Sequence, residues 1–148
     1  RSSNAKVMKL AVKRLNSEAK IPERAHSNDA GLDLFTLEEC TLGRHEMKVL
    51  GTGIAMAIPE DCVGLIWDKS GLAAKHGLTC LGGVIDAGYR GEIMVTLVNL
   101  GTEAYTITKH QKIAQMLIQK VELPVVTEVA DLDDTERGEK RFGSTGTH

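Results

Sequence analysis

At 148 residues, with 18 lysines and arginines against 20 aspartates and glutamates, the chain is long enough for one domain with a moderate core and too evenly charged for a duplex-DNA or membrane-surface binder. No apolar run approaches the roughly twenty residues of a spanning helix, and no apolar segment of signal-peptide type opens the sequence. Cys40, Cys62 and Cys80 are odd in number and lack close metal-ligand spacing, which points to reduced, mostly buried thiols in a cytosol-like compartment and to no zinc site.

Arg1-Ser2-Ser3-Asn4-Ala5 reads as a lead or cloning residue and is set apart from the domain expected over 6–136. Short segments then step by two: Met8-Leu10-Val12, Ile54-Met56-Ile58, Val63-Leu65-Trp67, Ile93-Val95-Leu97, Tyr105-Ile107 and Val125-Thr127-Val129, with Gly, Pro, Asp or Asn between them. Leu32-Asp33-Leu34 and Ile113 to Ile118 follow the same alternation, so Asp33 and Gln115 face away from their apolar neighbours. The one helical stretch is Ser70 to His76, with Ser70 as expected N-cap and Gly77 where a C-terminal glycine belongs. Strands of about five residues punctuated in this way predict an all-β jelly roll or sandwich with one short helix.

Two segments stand out chemically. Gly83-Val84-Ile85-Asp86-Ala87-Gly88-Tyr89-Arg90-Gly91-Glu92 ends an apolar run in a carboxylate and an aromatic ring on a glycine-rich turn, and the alternation on either side reads as a β-hairpin. Such a turn presents both side chains at a cleft, or else Asp86 merely holds the turn while Tyr89 covers a core edge. The second segment is the tail over 137–148, which begins Arg137-Gly138-Glu139-Lys140-Arg141-Phe142-Gly143-Ser144-Thr145-Gly146. It is too polar to bury a core and is expected to be mobile until something binds. With only two Phe, two Tyr and one Trp in the chain, a ring placed there calls for a partner. A nucleobase carrying phosphates suits a flat ring beside backbone donors and arginines; a ring that pins the terminus to its own domain is the plainer alternative.

Together with Ala30-Gly31-Leu32-Asp33-Leu34, Asp68-Lys69-Ser70-Gly71-Leu72-Ala73 and Lys112-Ile113-Ala114-Gln115-Met116-Leu117-Ile118, these two segments give five motifs in order, and through them the chain resembles the trimeric dUTPase family over nearly its whole length. The resemblance implies a jelly-roll homotrimer whose three sites each draw on all three chains. It implies hydrolysis of dUTP to dUMP and pyrophosphate, limiting uracil in DNA and supplying dUMP for thymidylate synthesis. A cytoplasmic location is implied, with nuclear or host-cell placement left open and no direct partner in nucleic acid or membrane.

By the same resemblance Asp86 is the general base, and Asp33 contacts hydrated Mg2+ through water. Ser70, Gly71 and Gln115 lie near the α-phosphate, with the helix start favouring an anion. Lys69, Arg137, Gly143, Ser144 and Thr145 serve the phosphates, while Phe142 stacks on uracil. Tyr89 lies under the deoxyribose, and the backbone of the turn from Gly83, Val84 and Ile85 to Met94 reads the base.

This sequence departs from the family pattern at four places. Asp68 stands for a proline, Lys69 for an arginine, Leu32 for an aromatic and Arg141 for a glycine. A lysine is a point charge that cannot grip phosphate bidentately, so the Lys69 change bears on phosphate binding. A dCTP deaminase of the same fold is the nearest alternative, but it needs a catalytic glutamate where Thr96 stands. A non-catalytic nucleotide-sensing trimer is the other, and retention of Asp86, Tyr89, Gln115 and the tail speaks against it.

Overall fold

A computed structural model describes residues 7–141. The strands in chain order are β1 (Ala11–Arg14), β2 (Leu32–Phe35), β3 (Cys40–Leu42), β4 (Met47–Gly51), β5 (Ile54–Ala57), β6 (Cys62–Trp67), β7 (Leu78–Leu81), β8 (Val84–Ile85), β9 (Met94–Asn99), β10 (Tyr105–Ile107) and β11 (Lys112–Lys120), with the helix α1 (Ser70–His76) between β6 and β7. All pairings are antiparallel. Sheets of order β1-β5, β3-β10, β4-β9-β7 and β2-β11-β6-β8 enclose one core that includes Leu34, Leu42, Ile54, Leu78, Ile93, Leu97, Ile107, Ile113 and Met116. The all-β architecture with a single short helix is thus as the alternation predicts.

The period of two is plainest in β9, which buries Val95, Leu97 and Asn99 while Met94, Thr96 and Val98 look outward. Asn99 is a polar residue inside the core because every polar group it brings is met. Its amide donates to the carbonyls of Leu42 at 3.0 Å and Glu103 at 2.9 Å, and its oxygen accepts from Gly101 N–H at 2.8 Å. In β2 all four residues are buried, since β11 covers one edge and the Glu23 bridge the other.

The helix spans Ser70–His76 as expected and closes on Gly77 at φ 71°, whose N–H returns to the Ala73 carbonyl. At its start the structure differs from the expectation: Lys69, with extended backbone, is the N-cap, and Ser70 is the first helical residue with no capping bond from its side chain. The other departures have local causes. β1 begins only at Ala11, because its partner β5 runs out at Ala57, two residues before Pro59 removes a ladder donor. Val125 to Val129 form no strand, and Val125 and Val126 are exposed.

Candidate active site

Asp33 sits within β2 at 3% exposure, opposite Gln115 of β11. A charge taken out of water needs partners, and here Lys69 Nζ lies 2.6 Å from Oδ1 and Lys112 Nζ 3.3 Å from Oδ2. Lys69 reaches it from the cap of α1, so the helix start, Ser70 and Gly71 are drawn against the β2–β11 pair. Gln115 closes the cluster by donating Nε2 to the Asp68 carbonyl at 2.8 Å, in space that a Cβ on Gly31 would occupy. The structure therefore brings Asp33, Lys69, Ser70, Gly71 and Gln115 to one place.

Asp68, where the family pattern has proline, ties this corner to β7. It accepts from the Thr79 hydroxyl at 2.6 Å and from Cys80 N–H at 2.7 Å. Burial, and after it the Asp68 carboxylate, pushes the Cys80 thiol up to about 12, which keeps it protonated and unreactive. Lys112 was given no role by sequence pattern, because strict alternation sets it opposite to Gln115. A register shift between Lys112 and Ala114 undoes that: Lys112 pairs with Phe35 and Gln115 with Asp33, two residues apart on β2 and so on one face.

The Asp86 loop is built differently from the expected hairpin. β8 pairs with β6, whereas β9 pairs with β4 and β7, so the two arms diverge into separate sheets. What survives is the turn, closed by Tyr89 N–H to the Asp86 carbonyl at 3.1 Å. Both ends are pinned. Before it, Gly83 at φ 114° gives its carbonyl to Ile66 N–H at 2.8 Å, and a Cβ there would come 2.9 Å from the Ile66 oxygen. After it, the Glu92 carboxylate accepts from Gly53 N–H at 2.9 Å, and Ile93 N–H donates to the Ile54 carbonyl at 2.8 Å. Between these anchors the Asp86 side chain is exposed and makes no ion pair among the described residues. Tyr89 is 43% exposed, its hydroxyl donating to the Glu92 carbonyl at 2.7 Å.

These two constellations are apart within one chain. Ile85 lies opposite Gly64 and Gln115 opposite Trp67, so Asp86 falls at the level of Val63, four residues down β6 from the Gln115 row. At about 3.3 Å per residue that is roughly 13 Å, before the sideways offset of two strands. A general base must lie within hydrogen-bond reach of its proton, directly or through one water. No single copy satisfies that for a phosphate held by Gln115.

Beyond β11 the chain from Val121 to Arg141 is exposed apart from Val121 itself, and Arg137 folds back only on its own turn, its Nε donating to the Lys140 carbonyl at 3.2 Å. Phe142, Gly143, Ser144 and Thr145 lie outside the described residues. Among the described residues no three of His, Cys, Asp and Glu gather around one point. The donor set does fit a hydrated magnesium ion that arrives with phosphates, since Asp33 is a hard oxygen donor whose oxygens each keep a further lone pair beside their lysine. Among the described residues no helix is long and apolar enough to cross a membrane.

The family model described as dUTPase matches residues 17–146. The chain is 51% identical to the deoxyuridine 5'-triphosphate nucleotidohydrolase of Clostridium kluyveri over 95% of this chain and 99% of that protein. In three dimensions it superposes with a TM-score of 0.89 on a mutant of the Staphylococcus bacteriophage 80alpha dUTPase solved with dUpNHpp, at 33% identity over 95% of this chain and 99% of that one. A mutant dUTPase from Staphylococcus aureus phage phi11, whose structure is described as revealing the coordination of a structural Mg(II) ion, matches with a TM-score of 0.80 at 29% identity over 86% of this chain and 100% of that one.

Proposed function

Because the chain belongs to the dUTPase family, we propose that its hydrolysis of dUTP to dUMP and pyrophosphate runs on Asp86 of one subunit and on the Lys69–Gln115 corner of another. Asp86 orients a water and takes its proton as the oxygen attacks the α-phosphorus. The bond from that phosphorus to the bridging oxygen breaks, and pyrophosphate leaves. A carboxylate is a modest base, so most of the acceleration comes from positioning and from charge on the phosphates. Gln115, Ser70 and Gly71 hold the α-phosphate, while Lys69, Arg137, Gly143, Ser144 and Thr145 neutralise the chain beyond it. Magnesium, when bound, supplies further positive charge to the triphosphate, and Asp33 is the residue that would meet its waters.

Selectivity comes from the Asp86 loop. Tyr89 packs under the deoxyribose and leaves no room for a 2′-hydroxyl. The backbone from Val84 to Met94 offers donors and acceptors matched to uracil O4 and N3–H, which cytosine presents in reverse. The observation that carries this reading is the loop held at both ends, Gly83 on Ile66 and Ile93 on Ile54, with an exposed carboxylate between. Rigid support of this kind is what base recognition and water positioning need.

A panel of nucleotides with magnesium tests it. Pyrophosphate and dUMP are expected from dUTP, with UTP, dTTP and dCTP slower by at least about a hundredfold, since a lost or clashing polar contact costs a few kcal/mol. Comparable turnover of UTP would remove Tyr89 from its role, and ammonia from dCTP would mean deamination.

The separation of Asp86 from Gln115 supports a homotrimer with shared sites. Sedimentation is expected to give three chains per particle. Asp86→Asn and Gln115→Ala, each expected to be strongly impaired alone, should regain activity when unfolded and reassembled together, because roughly a quarter of randomly mixed sites pair one intact residue of each kind. A fully active monomer, or mixtures no better than their parents, would place both residues in one chain's site.

A further inference from the structure

Among the described residues Asp33 is the one carboxylate that two lysines share. A single carboxylate with a single ammonium is a neutral pair, with little long-range attraction for an anion. Lys69 is the deeper partner at 30% side-chain exposure, and bound to Asp33 alone it would offer a polyphosphate almost no net charge. Lys112 stands on the opposite carboxylate oxygen and is 46% exposed, so the three charges sum to one positive with the freer cation on the open side. The remaining carboxylate of this corner, Asp68, is turned away onto Thr79 and Cys80.

We infer that Lys112 is a phosphate ligand of the dUTP site, paired with Lys69 across Asp33, and that Asp33 positions both ammoniums as one net-positive clamp for the β- and γ-phosphates. The bulge in β11 is what makes this clamp, since it sets Lys112 on the face of Gln115. Two flexible point charges held on one carboxylate also substitute for the planar, bidentate grip that Lys69 cannot make. The inference rests on the reading that the phosphates lie beside Lys69.

The test is equilibrium binding of dUpNHpp and of dUMP to the full-length protein, carrying Lys112→Met, Lys112→Arg or Lys69→Met, at low and high potassium chloride. Lys112→Met should weaken dUpNHpp about tenfold at low salt, the loss of one charged contact, with the difference shrinking at high salt and dUMP affected less than twofold. Lys112→Arg, which keeps the charge, should bind dUpNHpp within about threefold of the parent. Equal weakening of dUMP and dUpNHpp by Lys112→Met, or a loss that salt does not change, would make Lys112 a packing residue and overturn the inference. Lys69→Met weakened while Lys112→Met binds like the parent would overturn it too, leaving the phosphate site in place. If neither variant changes, the phosphates lie elsewhere and the reading beneath the inference falls with it.

Discussion

Asp86→Asn is expected to fold and bind dUTP as the parent does, and to lose on the order of a hundredfold or more in turnover, about 2.7 kcal/mol of transition-state stabilisation. The substitution keeps the shape of the side chain and takes away its capacity to accept a proton. It is a clean test because among the described residues the carboxylate makes no ion pair or hydrogen bond: the turn is closed by the backbone carbonyl of Asp86 accepting from Tyr89 N–H, and the loop is held by Gly83 and Ile93. An exposed substitution of this kind moves stability by no more than about 0.5 kcal/mol, so the melting temperature should stay within about 2 °C. A residue that merely holds a turn gives the reverse pattern, with stability lost and turnover near normal. Near-normal turnover in a stable variant would mean that another group activates the water.

How much of this was legible in the chain varies with the source of each constraint. Where a strand is set by burial on one face, as in β9, alternation found both the strand and its buried side; in β6 it found the strand but not the side, since Val63-Leu65-Trp67 ends in an exposed Trp67 while Cys62, Gly64 and Ile66 are buried. β4 was not found this way: it carries Met47 and Val49 on its exposed side, so its apolar pattern points away from the core. The helix was legible to the residue because both signals are local, a run of good formers and a glycine at positive φ. Its cap was not, because Lys69 is fixed by a carboxylate thirty-six positions earlier in the chain. Asp33 and Gln115 were legible as strand residues, but Asp33 is buried with the rest of β2 rather than turned outward, and its meeting with Gln115 depends on the β2–β11 register. Lys112 was hidden by the bulge. The Asp86 turn was legible while its hairpin was not, since nothing in a run of alternating residues says which strand each arm will pair with.

The second large effect is expected at the tail. Ending the chain at Thr135 should leave a folded trimer whose hydrolysis of dUTP falls by on the order of a hundredfold or more. The fold is expected to survive because the buried core ends at Met116 and the segment over 122–141 is itself exposed. On the proposed reading, activity falls because Arg137, Ser144 and Thr145 supply charge and donors to the phosphates and Phe142 stacks on uracil and excludes water, and the truncation removes all four. The Asp86 loop keeps its hold on base and sugar, so ground-state binding of dUpNHpp should suffer less than turnover. Phe142→Trp in the full-length chain reports the same event, since a stacked indole changes its fluorescence on addition of dUpNHpp. Trp67, 56% exposed on β6, contributes a background that the parent protein measures. A truncated trimer that hydrolyses dUTP at the full-length rate would show that the phosphates need nothing from the tail, and that the tail is solvated terminus.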